Sequence, residues 1–182
     1  MLYCDVHRKR DDSGYRITYT TDGESFRYTD SPLEIPVGPG DQLFVDTIPM
    51  IQTDGFIGLL RRGVEVYCLR RLTLIEEMRR RLGIPKSGRG GVKVLMHIED
   101  KWFRRVDEDY LVMRRMASTF RSLQRTLQQY RNRVEAASGD DREDLEDLIR
   151  IIEVKIERQA KRIVKEAEKR YQSSKKLPKS SE

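Results

Sequence analysis

The apolar residues of this chain change their spacing near residue 104. Before this point, short apolar runs alternate with Gly, Pro and Asp-Gly turn signals, as in strands joined by tight loops. After it, apolar residues recur every three or four positions almost to the end, as in amphipathic helices. We therefore predict an α/β domain over 1–103, a helical hairpin over 104–172 and a flexible tail over 173–182.

The helical part divides into two long segments with different apolar periods. From Met113 to Ala137, apolar or small residues are about 3.4 positions apart, close to a coiled-coil heptad. From Leu145 to Tyr171 they are about 3.7 apart, nearer an eleven-residue repeat. The turn between the segments offers an N-cap at Asp140 or Asp141. We expect a long antiparallel α-helical hairpin, a coiled coil, and a homodimer that forms through it.

The first part carries strand and hairpin signals. Asp22-Gly23 lies between two alternating segments, which is the strongest short signal for a β-hairpin. The Pro/Gly-rich segment 31–41 predicts a loop, and so does 87–91. Val92 to Ile98 is expected to form a strand, with a short helix as the alternative. The other expected elements are strands at 2–7, 14–21, 24–29, 42–46 and 64–69 and helices at 51–62 and 71–82.

The order of these elements predicts the sheet. A strand–helix–strand unit implies a parallel pair with a right-handed crossover. An antiparallel hairpin in front of it makes the sheet mixed. Three antiparallel strands followed by β-α-β is the layout of an RNase H-like domain, so the expected fold class is α/β with an RNase H-like mixed sheet.

Composition excludes several classes of protein. The chain has no run of ~18 apolar residues that would span a membrane, and its N-terminus lacks the apolar core of a secretory signal. Cys4 and Cys68 are too few and too isolated for a disulfide framework or a zinc site, and both are expected to be buried thiols. We expect a cytoplasmic protein without a membrane partner. A single asparagine, Asn132, among many Arg, Lys and Glu residues suggests a thermophilic source.

Two aspartates in or after apolar strands are the first candidates for chemistry. Asp5 lies in the middle of the first strand, and Asp46 ends the strand LFVD. Each has an ordinary explanation, because strand alternation can turn Asp5 to solvent and Asp46 can cap a helix. In the RNase H-like order their strands are neighbours, and two adjacent carboxylates favour a hard cation such as Mg²⁺. We therefore predict both as metal ligands and catalytic residues.

Further acids are expected from a later element. Asp107 and Asp109, in RRVDEDYLVM, are the candidates for the remaining catalytic carboxylates, with Asp109 as a metal ligand. The alternative is that they form the acidic first turn of a helix and interact with its dipole.

The net charge of +6 is concentrated in arginines. The segment from Met113 to Val134 contains six arginines and no acid, and the segment 61–81 contains seven arginines against three glutamates. Arginine suits phosphate through its planar pairs of donors, so DNA or structured RNA is the expected partner. A solvated helix face is the alternative. The predicted nucleic-acid-binding residues are Arg79, Arg80, Arg114, Arg115, Arg121 and Arg125.

Several segments resemble one family. YCDVHRK is similar to the opening strand of the RuvC-like domain of DEDD transposases, the Piv/MooV group of bridge-RNA-guided insertion-sequence recombinases. LFVDTIPMIQTDGFIGLLRRGVEVYCLR resembles the acid-ending strand and following helix and strand of that family. RVDEDYLVMRRMA resembles its Asp-x-x-Asp-Ala element, and FRSLQRTLQQYRNRV its Arg-rich coiled-coil helix.

The resemblance implies a metal-dependent nuclease, or a transposase-derived remnant. It places Asp5 and Asp46 on catalytic acids of the family and Asp107 and Asp109 near the other two. The family's domain with a nucleophilic serine has no counterpart in this sequence, so strand exchange by this chain alone is not expected. A non-catalytic, dimerising nucleic-acid-binding or structural assembly protein is the alternative.

Overall fold

A computed structural model describes residues 1–175 of the chain. The chain forms two compact units, Met1–Leu111 and a second unit that begins at Val112. Most of the predicted flexible tail, 173–182, lies outside the described residues, because the last helix is described only to Lys175. None of the described helices is long and apolar enough to cross a membrane.

The first unit contains a six-stranded mixed sheet with the strand order β3-β2-β1-β4-β5-β6. β1 pairs antiparallel with β2 and parallel with β4. β4 and β5 are parallel, and β6 is antiparallel to β5. The mixed sheet predicted from the hairpin and the crossover unit is therefore confirmed. The strands are β1 Leu2–Arg8, β2 Tyr15–Thr20, β3 Arg27–Thr29, β4 Gln42–Val45, β5 Glu65–Leu69 and β6 Phe103–Val106.

Both faces of the sheet are buried. Phe44 of β4 belongs to a core cluster formed with residues of α2 (Thr73–Leu82) and α3 (Gly88–Leu95). On the opposite face of the same strand, Leu43 and Val45 are fully buried. Helix α1 (Thr53–Arg61) connects β4 to β5. The predicted loop 31–41 contains one 3-10 turn, Pro32–Glu34, which the Ser31 side chain caps.

The loop predicted at 87–91 and the strand predicted at 92–98 are wrong, and the short helix given as the alternative for the second segment is what forms. The segment expected to be a glycine loop followed by a strand forms α3 instead. The Ser87 side chain accepts a hydrogen bond from the Gly90 N–H at 3.0 Å and so begins the helix as its N-cap. Glycine is a poor helix former, but here it lets the helix backbone lie directly against β1 and β2. A Cβ on Gly88 would lie 2.3 Å from Thr18 Oγ1.

The first unit continues past the predicted boundary at residue 103. Phe103–Val106 forms the sixth strand, of which residues 104–106 were predicted to belong to the helical part. The two arginines of this strand contact side chains outside it. Arg105 forms an ion pair with Glu65 of β5 at 3.0 Å, and the Arg104 guanidinium lies 4.0 Å from the ring centroid of Tyr110.

The second unit is helical, as predicted. Helix α4 spans Glu108–Val134 and begins in the first unit, and α5 spans Gly139–Lys175. Gln159 donates to the Met116 carbonyl at 3.5 Å, and Arg131 pairs with Glu153 at 2.8 Å. The α4 residue that comes first in the chain, Met116, contacts the later of the two α5 residues, as in antiparallel helices. The predicted apolar positions are buried or half-buried from Met113 to Ala137 and from Leu145 to Ile163. The last two predicted positions, Ala167 and Tyr171, are exposed, so the apolar face of α5 ends before them.

Both cysteines are free and buried, as predicted. Burial raises the pKa of the Cys4 thiol well above its usual value, and the nearby carboxyl groups of Asp46 and Asp5 add to the effect. Cys4 is therefore an inert core thiol beside a pair of acids.

Candidate active site

The structure brings Asp5 and Asp46 together. In the parallel register Cys4 of β1 lies beside Val45 of β4. Asp5 and Asp46 are the residues that follow this pair in the chain. Each aspartate is only 8% exposed. The backbone N–H of Val6 donates to Asp46 Oδ1 at 3.0 Å, which fixes the second carboxyl group against the first strand. Asp46 thus follows the carboxyl end of β4, and Asp5 lies in the middle of β1 where the parallel pairing of the two strands ends. The carboxyl ends of parallel strands are where α/β sheets commonly bind ligands.

Burial and mutual repulsion make this pair costly to ionise. Burial is the larger cause and the charge of Asp5 the second, and together they raise the pKa of Asp46 to about 8. Hydrogen bonds from the backbone N–H groups of Val6 and Thr47 act in the opposite direction. At neutral pH the pair therefore holds an extra proton, which a bound cation would displace.

Asp5 is held from two sides. His7 Nδ1 lies 3.0 Å from Asp5 Oδ2, since residues two apart on a strand share a face. On the other side, an added Cβ at Gly91 of α3 would lie 2.2 Å from Asp5 Oδ1. The His7 contact and the approach of α3 were not predicted, although the Asp-x-His spacing along β1 was a signal for the first.

We expect Gly91→Ala to weaken divalent-cation binding at the pair by at least roughly tenfold, which is what loss of an outer partner costs a metal site. The new methyl group would push the Asp5 carboxylate out of place, while alanine favours the helix and limits the loss of stability. Gly38→Ala is the control, because its nearest side-chain atom is 4.0 Å away. Mn²⁺ titration of both variants measures the effect, and equal affinities would contradict this role of Gly91.

The acid pair opens into a cleft of about 1110 Å³. Its walls come from the ends of β1 and β4, the start of α2 and the residues before α3. Four of its cations form ion pairs, Arg8 with Asp12, Lys9 and Arg16 with Asp30, and Arg79 with Glu76. Among the described residues, the remaining two make no ion pair. The lining cations are Arg8, Lys9, Arg10, Arg16, Arg79 and Lys86.

The structure does not bring Asp107 and Asp109 to this pair. Strand β6 runs antiparallel to β5, beginning beside Leu69 and ending beside Val66. Residues that follow β6 are therefore at the edge of the sheet where β4 and β5 begin, whereas Asp46 follows the opposite end of β4. Asp107 accepts a hydrogen bond from the Tyr110 N–H at 2.7 Å, which is the helix-start role kept as the alternative.

The predicted arginines divide between the units. Arg79 lines the cleft with its side chain only 12% exposed, and Arg80 is exposed on α2. On α4, Arg121 and Arg125 are exposed on the side away from the apolar positions, as expected. The other two predicted arginines of α4, Arg114 and Arg115, are half-buried.

The residues fit one mode of metal binding. Within residues 1–175, no group of three or more His, Cys, Asp or Glu side chains is placed to share an ion. Asp5 and Asp46 therefore offer two carboxylates, and Mg²⁺ is commonly held by one or two carboxylates together with water and substrate phosphate. No family model matches the sequence, and neither does any curated protein. The geometry of the cleft is thus the main guide to function.

Proposed function

We propose that the first unit is an RNase H-like, RuvC-like domain that holds Mg²⁺ at Asp5 and Asp46 and acts on a phosphodiester bond of DNA or structured RNA. The observation that carries this proposal is the adjacency of two nine-tenths buried carboxylates at the floor of a cation-lined cleft. The strand order β3-β2-β1-β4-β5, with β4 and β5 parallel to β1, supports it.

The residues of the cleft have separate roles in this proposal. Asp5 and Asp46 hold the cation, which would activate a water molecule and offset charge on the phosphate. The contacts of Asp5 with His7 and α3 keep its carboxylate in one orientation. Arg10 and Lys86, which make no ion pair within the described part of the chain, are placed to bind the phosphates of the substrate.

The test is cleavage and binding by the whole chain on linear DNA, branched DNA and structured RNA, with Mg²⁺, with Mn²⁺ and with a chelator. We expect cleavage only with the metal. We also expect binding to weaken steeply with salt, because phosphate contacts release counterions. Binding without cleavage under every metal condition would remove the enzymatic proposal. Activity on branched DNA alone would favour the transposase-derived remnant implied by the sequence resemblance.

One observation favours a second candidate, a nucleic-acid-binding protein without cleavage. Asp107 and Asp109 lie away from the acid pair, so the described part of the chain supplies fewer carboxylates than the four-acid site that the resemblance implies. In this case Arg121 and Arg125 on α4 would carry the binding. Replacing both with Gln would then lower the affinity and the salt dependence without involving the cleft.

We also propose that α4 and α5 form a coiled-coil hairpin through which two copies of the chain associate. The half-buried apolar positions along both helices support the coiled coil. The apolar side chains that remain exposed on α5 support the association of two copies.

A further inference from the structure

Helix α5 exposes apolar side chains on the side that faces away from α4. Leu148, Ile151 and Val154 are 41%, 53% and 56% exposed, and we call these three residues the outer stripe. Ile149 and Ile152, which lie toward the α4 side, are half-buried and buried. Three exposed aliphatic side chains within two helical turns form an apolar patch, and such patches commonly mark a contact with another molecule.

The charges on either side of the outer stripe have opposite signs. Residues 140–147 contain six acids and one base, and residues 155–165 contain five bases and one acid. An exposed helix with this polarity is complementary to a copy of itself that runs in the opposite direction. The acids are Asp140, Asp141, Glu143, Asp144, Glu146 and Asp147, and the bases are Lys155, Arg158, Lys161, Arg162 and Lys165.

We propose that the outer stripe binds the outer stripe of a second copy, with the two α5 helices antiparallel about a two-fold axis. This inference rests on the proposed association through the hairpin and gives it a surface and a direction. When Ile151 of one copy faces Val154 of the other, three acids on the facing side of the helix each meet a base, and the symmetry makes every pair twice. The pairs are Asp147 with Arg158, Asp144 with Lys161 and Asp140 with Lys165.

The charges select the direction of the helices. In a parallel pair the acidic segments would lie side by side, and so would the basic segments, and both contacts repel. The helical repeat places Asp144, Asp147 and Arg158 on the same side as Ile151, so the pairs and the apolar contact form together. Asp147 already pairs with Arg150 within its own helix. That exposed pair contributes little and exchanges readily.

The test is sedimentation equilibrium of the whole chain at low and high salt. We expect a dimer whose dissociation constant rises with salt, because the pairs are exposed and screened. Asp144→Lys with Asp147→Lys places bases against bases and should raise the dissociation constant at least about tenfold. Arg158→Glu with Lys161→Glu should do the same. An equimolar mixture of the two variants should form a heterodimer, which shows that both remain folded.

Glu135→Lys with Glu168→Lys is the matched control. It makes the same change in net charge at exposed positions outside the paired segment, and the dimer should persist. A wild-type chain that remains monomeric at low salt would overturn the proposal, and so would acid-to-base variants that dimerise as tightly as the control. These results do not depend on the cleft, so this proposal and the nuclease proposal can fail separately.

Discussion

Replacing Asp5 with Asn is expected to lower Mg²⁺-dependent cleavage at least roughly 100-fold, because even outer partners of a metal site contribute 10–100-fold. The amide keeps the size of the side chain and its contacts with His7 and α3, but it removes the charge that binds the cation. The measurement is the single-turnover cleavage rate at saturating enzyme, together with Mn²⁺ affinity, so that binding of nucleic acid and chemistry are separated.

Asp109→Asn is the informative control for this experiment. The sequence resemblance implies that Asp109 is a metal ligand, whereas the structure places it at the opposite edge of the sheet. We expect this variant to cleave at the rate of the wild-type protein. If Asp109→Asn were as inactive as Asp5→Asn, Asp109 would contribute to the site in addition to the acid pair. That result would contradict the placement of Asp109 after β6.

The second large effect concerns stability and pH. The pKa of Asp46 is about 8 in the folded protein and near 3.8 when unfolded, so the folded state binds more protons between about pH 4 and pH 8. Stability should therefore fall as the pH rises through this range. The loss is at most about 6 kcal/mol, because the two pKa values differ by about four units and one unit corresponds to about 1.4 kcal/mol. Urea unfolding at a series of pH values, without divalent cations, measures this fall.

Asp46→Asn should remove this loss of stability, because asparagine has no proton to lose and its Oδ1 still accepts from the Val6 N–H. The matched control is Asp22→Asn. Hydrogen bonds from the backbone N–H groups of Ser25 and Glu24 lower the pKa of Asp22, so its contribution disappears only in acid and the slope above pH 5 stays unchanged. If the free energy of unfolding of Asp46→Asn fell with rising pH as steeply as that of the wild type, ionisation of the acid pair would not be the cause of the fall.

A divalent cation should also offset the loss of stability at high pH, and it should do so only in the wild-type protein. Above pH 8 the Asp46 carboxylate is ionised, and Mg²⁺ binding to the folded state should raise its stability by mass action. The melting temperature of the wild type should rise with Mg²⁺ concentration, while that of Asp46→Asn should not.

The strands that carry the acid pair could be predicted from local sequence. β1 and β4 are short apolar runs bounded by turn residues, and the Asp22-Gly23 hairpin fixes the direction of β3 relative to β2. The adjacency of Asp5 and Asp46 then follows from topology. Most apolar positions of α4 and α5 could be predicted because a helical period of about 3.4 to 3.7 residues is a local signal that extends over many turns.

The elements that were missed depend on contacts distant in sequence. Helix α3 begins with glycines that allow its backbone to pack closely against Asp5, His7 and Thr18. This packing cannot be predicted from residues 87–95 alone. Strand β6 contains two arginines in four residues, and its partner Glu65 lies on another strand. Because β6 was missed, the direction of the chain before Asp107 was unknown, and this led to the prediction that Asp107 and Asp109 complete the site.

The most direct test of the acid pair is a crystal grown or soaked with Mn²⁺ above pH 8 and measured at the manganese absorption edge. We expect an anomalous peak between the carboxylates, within about 2.2 Å of an oxygen of Asp5 and of Asp46, and no peak there in Asp46→Asn. Absence of a peak at the pair in the wild-type crystal, with His7 still bound to Asp5, would contradict a metal site in this cleft.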